Sequence, residues 1–169
     1  MKFCPRCAAP LDGRDIAGRM RRVCPNAACG YVFWDNPLPV LAGLVERDGL
    51  IVLARNSAWP EKMFGLITGF MERDETPEEG IAREVKEELG LDTLSASLIG
   101  VYPFQRRNEV ILAYHVTAHG EIALNEELSE FRLIPPQKLR PWDAGTGMAV
   151  RDWLSRRNAH STAKHAAAY

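Results

Sequence analysis

The sequence lacks a long apolar segment. Nowhere in its 169 residues do about 18 apolar residues follow one another, so no membrane-spanning helix is expected. The start of the chain, from Met1 to Cys7, also lacks the apolar stretch of a secretory signal. We therefore expect a cytoplasmic location, in which thiols stay reduced.

A strong excess of either charge is also missing. The chain has 21 basic and 22 acidic residues, which gives a formal net charge of −1. This balance provides no general attraction to nucleic acid or to an anionic membrane, although it leaves local patches open. There is no internal repeat, and the length suits one ordinary domain with a small accessory module.

Cysteine is absent after residue 29. The four cysteines form two pairs, Cys4-x2-Cys7 and Cys24-x4-Cys29, with 16 residues between the pairs. This spacing is typical of a tetrahedral zinc site with four thiolate ligands, which leaves no open position and is therefore structural. A disulfide pair and an iron centre are the alternatives. We predict a zinc ribbon over residues 1–35.

The role of this ribbon has two interpretations. Zinc ribbons often bind nucleic acid, and Arg19, Arg21 and Arg22 would supply positive charge for such contacts. The ribbon could instead be a stabilising cap or a dimer contact, and this is the interpretation that we favour from the sequence.

The rest of the chain carries the pattern of one further domain. We assign residues 36–160 to this domain and residues 161–169 to a flexible tail. Branched apolar residues predict the strands, and Asp48-Gly49 predicts a hairpin turn. The predicted strands cover 40–46, 50–54, 98–102, 110–117 and 131–134, and the predicted helices cover 77–89 and 146–157. Strands on both sides of a strongly marked helix indicate a layered α/β domain.

The first predicted helix is bounded by its own sequence. Thr76 is a suitable N-cap, and Pro77 suits the first helical position. Glu79 stands where an acidic side chain can complete a capping box with the N-cap residue. At the other end, Gly90 can adopt the positive φ that often follows the last helical residue.

This helix has an apolar face and an acidic face. Ile81, Val85 and Leu89 share the apolar face, which is expected to be buried. The neighbouring face carries the carboxylates of Glu84, Glu87 and Glu88, which repel one another at this spacing. Such a surface suits Mg²⁺ or Mn²⁺, because these ions prefer carboxylate and water ligands. The alternative is an acidic face that is simply solvated.

The residues before the helix extend the acidic pattern into a longer motif. In order, the motif reads Gly69-x5-Glu75-x7-Arg83-Glu84-Val85-x-Glu87-Glu88-x-Gly90-Leu91. This motif resembles the Nudix box of the Nudix hydrolase superfamily at every defining position. At ordinary residue frequencies, the chance of such a match is on the order of 10⁻⁹ per starting position.

The resemblance implies both a fold and a metal site. The implied fold is a Nudix α/β/α sandwich with a mixed sheet. Glu84, Glu87 and Glu88 would ligate the divalent ions, and the backbone carbonyl of Gly69 would assist. Arg83 and Glu75 would form an ion pair that fixes the loop against the helix and orients Glu84.

The family chemistry also requires a base for the attacking water, and some members take it from a loop after the box. Glu126, Glu127 and Glu130 are the candidates here. Glu127 is preferred because it aligns best with the downstream acidic motif of the family. The alternative is that Glu127 is an ordinary surface acid.

A zinc ribbon followed by a Nudix box resembles the NADH pyrophosphatase-like branch and relatives that cleave FAD or ADP-ribose. NADH-specific members carry a Ser-Gln-Pro-Trp-Pro-Phe-Pro-x-Ser stretch after the box, and only Pro103-Phe104 remains here. The expected substrate is therefore a nucleoside diphosphate linked to another group, cleaved into two monophosphates. The alternatives are a nucleotide sensor, or an enzyme acting on nucleoside triphosphates or capped RNA. A homodimer is also typical of this branch.

Aromatic and basic residues around the box provide candidates for substrate contacts. One or two of the aromatic residues are expected to stack on a base, and most of them are expected to be core residues. These residues are Trp59, Phe64, Phe70, Tyr102 and Phe104. Arg106 or Arg107 could contact a phosphate.

Overall fold

The structure is a computed structural model that describes residues 1–166, with side chains described up to residue 159. The chain divides into two compact units, Met1–Pro37 and Leu38–Tyr169. This division lies two residues beyond the sequence-based limit of the ribbon. The identification of the first unit as a zinc ribbon and of the second as a hydrolase domain stays a prediction.

The first unit is a three-stranded antiparallel sheet beside the cysteines. Its strands, in spatial order, are β1 (Asp12–Ile16), β2 (Arg19–Val23) and β3 (Val32–Phe33). Cys4, Leu11 and Cys24 form its buried centre. This core is small for a unit of this size, so its stability is expected to depend on a further crosslink such as a metal.

The second unit contains the remaining strands and both α-helices. Its elements are β4 (Leu38–Arg47), β5 (Leu50–Asn56), β6 (Ile67–Phe70), α1 (Pro77–Leu89), β7 (Asp92–Phe104), β8 (Glu109–His119), β9 (Leu128–Ile134) and α2 (Gly147–Ala166). Among the described residues, no helix is both long enough and apolar enough to span a membrane.

Strand β4 organises the sheet of this unit. The spatial order is β7-β8-β4-β5-β9, and β6 also pairs with β4. One edge of β4 pairs in parallel with β8, while its other edge pairs antiparallel with β6 and then with β5. The sheet is therefore mixed, as the resemblance to the Nudix superfamily implied.

The two faces of the sheet carry separate cores. Leu41 and Val45 of β4 belong to a core with α1, whereas Ala42 and Leu44 belong to a core with Ala149, Val150 and Trp153 of α2. Successive residues of a strand point to opposite faces, so β4 contributes to both cores. The predicted layered α/β/α architecture is confirmed.

Most predicted elements are confirmed, but several have different lengths. Helix α1 has the predicted limits, whereas β7 begins six residues before the predicted strand. The sequence did not predict β6, which is only four residues long and contains Gly69. Helix α2 continues to Ala166, so the tail predicted from residue 161 begins inside this helix. Residues 167–169 lie outside the described part of the chain.

The predicted capping box of α1 is present. The Thr76 hydroxyl accepts a hydrogen bond from the Glu79 amide at 3.2 Å, and the Glu79 carboxylate accepts one from the Thr76 amide at 2.8 Å. At the other end, Gly90 has a φ of 71° and its amide donates to the Lys86 carbonyl. The helix that carries the acidic face is therefore fixed at both ends by local interactions.

Replacing Thr76 with Ala removes the N-cap acceptor. We expect the free energy of unfolding to fall by about 1 kcal/mol, because the Glu79 amide loses its partner. Urea unfolding followed by circular dichroism would measure this difference, and Thr76→Ser is the matched control because it keeps the hydroxyl. An equal loss in both variants would contradict the assigned role of the cap.

Candidate functional site

The site begins where β6 meets α1. Gly69 of β6 lies so close to α1 that an added Cβ would stand 1.9 Å from the Glu84 carboxyl group. Any larger residue at position 69 would therefore displace Glu84. The glycine is needed for this close approach, and the approach brings the backbone of β6 beside the acidic face of the helix.

Arg83 connects the loop before the helix to the acidic face. Its guanidinium donates two hydrogen bonds to the Glu75 carboxylate, at 3.0 and 2.9 Å. It also donates to Glu84 at 2.7 Å, to Glu87 at 3.1 Å and to the carbonyl of Phe70 at 3.2 Å. The ion pair expected between Arg83 and Glu75 is present, and Arg83 additionally contacts two of the expected metal ligands.

These contacts shift the titration of Glu75 and Arg83 in opposite directions. The hydrogen bonds from Arg83 and from the Glu72 amide lower the pKa of Glu75. The bonds to Glu75 and then to Glu84 raise the pKa of Arg83 despite its burial. Both groups therefore stay charged, and Arg83 provides a fixed positive charge beside the glutamates.

Glu84 and Glu88 are buried, with 9% and 7% of their surfaces exposed. Burial and then the negative charges of Glu84, Glu127 and Glu87 raise the pKa of Glu88 to about 8. Burial also raises the pKa of Glu84, although Arg83 acts against this shift. A nearby cation would favour the charged form of these two carboxyl groups. Their oxygen atoms are suitable ligands for a hard divalent ion.

Glu127 reaches this cluster from the loop before β9. It lines a small hollow of about 40 Å³ together with Glu88, Trp59 and Thr68. Its backbone carbonyl accepts a hydrogen bond from the Ser57 amide at 2.7 Å, which ties its loop to the end of β5. Of the three candidate bases, Glu127 is the one that the structure places beside the buried glutamates.

The other two candidate bases have different surroundings. The Glu130 carboxylate lies 3.5 Å from the Arg55 guanidinium and 3.5 Å from that of Arg132. The backbone carbonyl of Glu126 accepts a hydrogen bond from the Ser57 hydroxyl at 3.3 Å. Glu126 therefore has a backbone role in fixing the loop, and Glu130 is an ion-pair partner of arginine.

A cleft of about 840 Å³ opens beside the glutamates. This volume lies in the range of small-molecule sites. The walls contain six glutamates together with aromatic and basic side chains, and the glutamates are Glu72, Glu84, Glu87, Glu88, Glu109 and Glu127. The aromatic residues are Trp59, Phe64, Phe70, Phe104 and Trp142, and the basic residues are Lys62, Arg83 and Arg107.

The structure corrects the sequence-based view of the aromatic residues. Four of the five residues considered line the cleft, so the expectation that most are core residues was wrong. Tyr102 is the exception: it is buried, and its hydroxyl donates to Asp152 at 2.7 Å. Both arginines of the short 3-10 turn over residues 105–107 are exposed, and Arg107 is the one that lines the cleft.

Sequence reasoning missed several residues that two loops contribute to this cleft, although it named Trp59 and Phe64 of the first loop. One loop supplies Lys62 and Met63 between β5 and β6, and the other supplies Trp142 and Thr146 before α2. These segments have no periodic pattern. A signal was nevertheless available, because a tryptophan in a polar loop that is rich in glycine and proline often has a binding role.

The four cysteines form a second site, within the first unit. Their sulfur atoms all lie within 4.8 Å of one another. The Cys4–Cys29 and Cys7–Cys24 sulfur separations are 3.6 and 3.4 Å, so neither pair is a disulfide. This compact arrangement has the donor set of a tetrahedral metal site.

The titration of the thiols is consistent with such a site. Burial raises the pKa of Cys4, but the amides of Arg6 and Cys7 outweigh it, and the pKa falls to about 7. Burial and the neighbouring thiols raise the pKa of Cys24 to about 12, despite the Asn26 amide. Four thiolates this close together require a cation, and the soft sulfur donors suit Zn²⁺.

Comparisons with known proteins agree with this geometry. The family model described as the NUDIX domain matches residues 36–153. The chain is 31% identical to the NAD-capped RNA hydrolase NudC of Stutzerimonas stutzeri over 78% of this chain and 47% of that protein. It is also 31% identical to the mitochondrial NAD(P)H pyrophosphatase NUDT13 of Mus musculus, over 73% of this chain and 35% of that protein. The chain thus spans less than half the length of these relatives.

A solved structure shows the same architecture. The crystal structure of a NUDIX hydrolase from Nitrosomonas europaea superimposes with a TM-score of 0.72 at 26% sequence identity. The match covers 82% of this chain and 80% of the other. The motif, the fold and the family model therefore lead to one assignment: the chain belongs to the NUDIX domain family.

Proposed function

We propose that this chain is a metal-dependent pyrophosphatase. Its substrate would be a nucleoside diphosphate linked to a second group, of the NAD(H), FAD or ADP-ribose class, and its products would be two monophosphates. The observation that carries the proposal is the cluster of Glu84, Glu87, Glu88 and Glu127 in the wall of a cleft with aromatic sides. The names of the NudC and NUDT13 relatives support the NAD(H) class in particular.

Mg²⁺ or Mn²⁺ is the proposed cofactor of this reaction. Glu84, Glu87, Glu88 and the carbonyl of Gly69 would hold the ions. This proposal is supported by the packing of Gly69 against Glu84 and by the position of all four residues in the lining of one cleft. When bound, such ions neutralise the charge of the diphosphate and lower the pKa of a water molecule. Glu84 and Glu87 each accept a hydrogen bond from Arg83 through one carboxylate oxygen. Arg83 would therefore orient both carboxylates.

The protein residues then have separate tasks in the cleavage. Glu127 would accept a proton from the attacking water, whose oxygen bonds to one phosphorus of the diphosphate. The bond from that phosphorus to the bridging oxygen breaks, and the bridging oxygen leaves with the other monophosphate. Lys62 and Arg107 would attract the phosphates, and Trp59, Phe104 or Trp142 would offer planar surfaces for a base.

A substrate panel tests the proposed activity. The purified chain would be incubated with Mg²⁺ or Mn²⁺ and NADH, NAD, FAD, ADP-ribose or nucleoside triphosphates, and the products separated by chromatography. We expect AMP from the adenylate-containing diphosphates and at least a hundredfold loss of turnover in Glu88→Gln, because that variant removes a buried anionic ligand. No turnover of any compound, or cleavage of triphosphates alone, would contradict the proposal.

The matched control for Glu88→Gln is Glu121→Gln. This residue is exposed and lies outside the cleft lining, so its neutralisation should leave turnover unchanged. Circular dichroism of both variants separates loss of the site from loss of the fold. Full activity in Glu88→Gln would refute the assignment of that residue as a ligand.

The proposed base can be distinguished from its neighbours by three variants. We expect Glu127→Gln to lower kcat by about a hundredfold or more, whereas Glu126→Gln and Glu130→Gln should change it little. If the large loss appeared in Glu126→Gln or Glu130→Gln instead, the assignment to Glu127 would be wrong.

The cysteine site is proposed to hold one structural zinc ion. Elemental analysis of the purified chain should give about one zinc per chain, and Cys24→Ser should lower this ratio and the thermal stability together. Ser129→Ala is the control for handling, since Ser129 lies outside the ribbon. A chain that folds normally without any bound metal, or one that contains iron, would defeat this proposal.

A further inference from the structure

The first unit carries a positive charge that the chain as a whole conceals. Residues 1–37 contain six basic and three acidic residues, a net charge of +3, whereas the other residues contain 15 basic and 19 acidic residues, a net charge of −4. The four arginines at positions 14, 19, 21 and 22 lie in β1 and β2. The positive charge is therefore concentrated on one hairpin.

The cross-strand register places arginines directly opposite one another. Arg14 of β1 pairs with Arg21 of β2 in the antiparallel ladder. Residues opposite each other have Cβ atoms about 5 Å apart, and like charges in this position are destabilising. Arg19 lies two residues before Arg21 on β2, so the two side chains share one face of the sheet. A sequence selected only for stability would place an acidic residue at one of these positions.

The hairpin contains two acidic residues. Asp12 lies two residues before Arg14 in β1 and shares its face, so this face carries three arginines and one aspartate and remains positively charged. The Asp15 side chain accepts a hydrogen bond from the Gly18 amide at 3.1 Å and so stabilises the turn. Asp15 is also adjacent to Arg14 in the strand and therefore points to the opposite face. The ion pairs found among the described side chains do not include Arg14, Arg19 or Arg22.

An exposed aromatic side chain continues the row of arginines. Arg22 pairs with Phe33 in the antiparallel ladder between β2 and β3. Trp34 is the residue after Phe33, so it lies beside Arg21, the residue before Arg22. Arg21 donates to the Trp34 carbonyl, and its guanidinium lies 5.5 Å from the centre of the Trp34 ring. Trp34 is nevertheless 50% exposed. The row Arg14–Arg21–Trp34, with Arg19 beside it, is called the arginine face below.

We propose that the arginine face binds single-stranded nucleic acid. Guanidinium groups bind backbone phosphates, and an exposed ring beside them offers a surface on which an unpaired base can stack. A duplex hides its bases and could not use Trp34 in this way. An acidic peptide would satisfy the charges but would leave the ring without a planar partner.

This inference goes beyond the proposed pyrophosphatase activity and differs from the sequence-based preference for a cap or dimer contact, which stays a prediction. It concerns binding through the first unit alone. It therefore stands or falls separately from the reaction in the cleft.

The test measures binding of a 12-nucleotide oligouridylate by the full-length chain, using fluorescence anisotropy over a series of salt concentrations. The oligonucleotide carries a 5′-hydroxyl, so it offers no diphosphate to the cleft. We expect Arg14→Ala combined with Arg19→Ala to weaken binding about tenfold and to reduce the salt slope by about 1.4. Trp34→Ala should weaken binding about fivefold while leaving the salt slope unchanged.

Two further variants separate charge from folding. The matched control is Arg140→Ala combined with Arg151→Ala, which removes the same charge from exposed positions of the second unit and should leave binding unchanged. Arg14→Lys combined with Arg19→Lys keeps the charge and should retain most of the binding. Zinc content must remain equal in all variants, and hydrolysis of the small substrates should be unaffected by changes in the arginine face.

Several results would overturn the inference. These are an equal loss in the control pair, binding of duplex as tight as that of single strand, or binding of phosphatidylserine vesicles without binding of the oligonucleotide. The two proposals can also fail independently. Oligonucleotide binding without any pyrophosphatase activity would leave the arginine face supported, and activity without oligonucleotide binding would refute only the arginine face.

Discussion

The need to keep several carboxylates together against their mutual repulsion governs the second unit. Glu84 and Glu88 are buried on a helix whose neighbouring face is packed into the core, so water screens them poorly. Arg83 is the permanent positive charge that makes this possible, because it contacts Glu75, Glu84 and Glu87 at once. Removing this guanidinium would leave buried negative charge without compensation, a situation that is strongly unfavourable in proteins.

The fold supplies the other half of this arrangement. Helix α1 can approach the sheet only where the strands present small residues, and Gly69 and Gly43 provide that space. Gly43 of β4 lies under the Ile81 side chain, and a Cβ added at Gly43 would lie 3.1 Å from the Ile81 Cδ1 atom. Gly69 lies under Glu84 in the same way. The same close packing therefore buries the apolar face of the helix and presents its carboxylates to the cleft.

The sequence predicted the parts of this site that depend on local spacing. Helix α1 and its caps lie within one short segment, so their geometry follows from helical periodicity and capping chemistry. The Arg83–Glu75 pair was expected from the resemblance to the Nudix box. The burial of Glu84 was less predictable, because it depends on how closely β6 approaches the helix. The additional contacts of Arg83 depend on that same approach.

Features that join distant segments were the ones that sequence reasoning missed. The cleft takes Lys62 from one loop and Trp142 from another, and no periodic pattern connects such positions. The arginine face depends likewise on strand register: Arg14 and Arg21 are opposite each other only because the turn fixes that alignment. Composition revealed the arginines, but only pairing revealed that they converge.

The parallel pairing of β4 with β8 has a consequence for how the chain reaches its native state. Leu38 pairs with Glu109, and the ladder continues to Glu46 and Thr117. Pairing these strands closes the long segment of chain between them, which costs chain entropy before any contact is gained. This step is therefore expected to limit the folding rate. Helix α1 can form early from its own caps, but the cluster of Glu84, Glu88 and Glu127 is complete only after the distant strands have joined. An incompletely folded chain would thus contain the acidic helix but would lack the cleft in which a substrate could bind beside it.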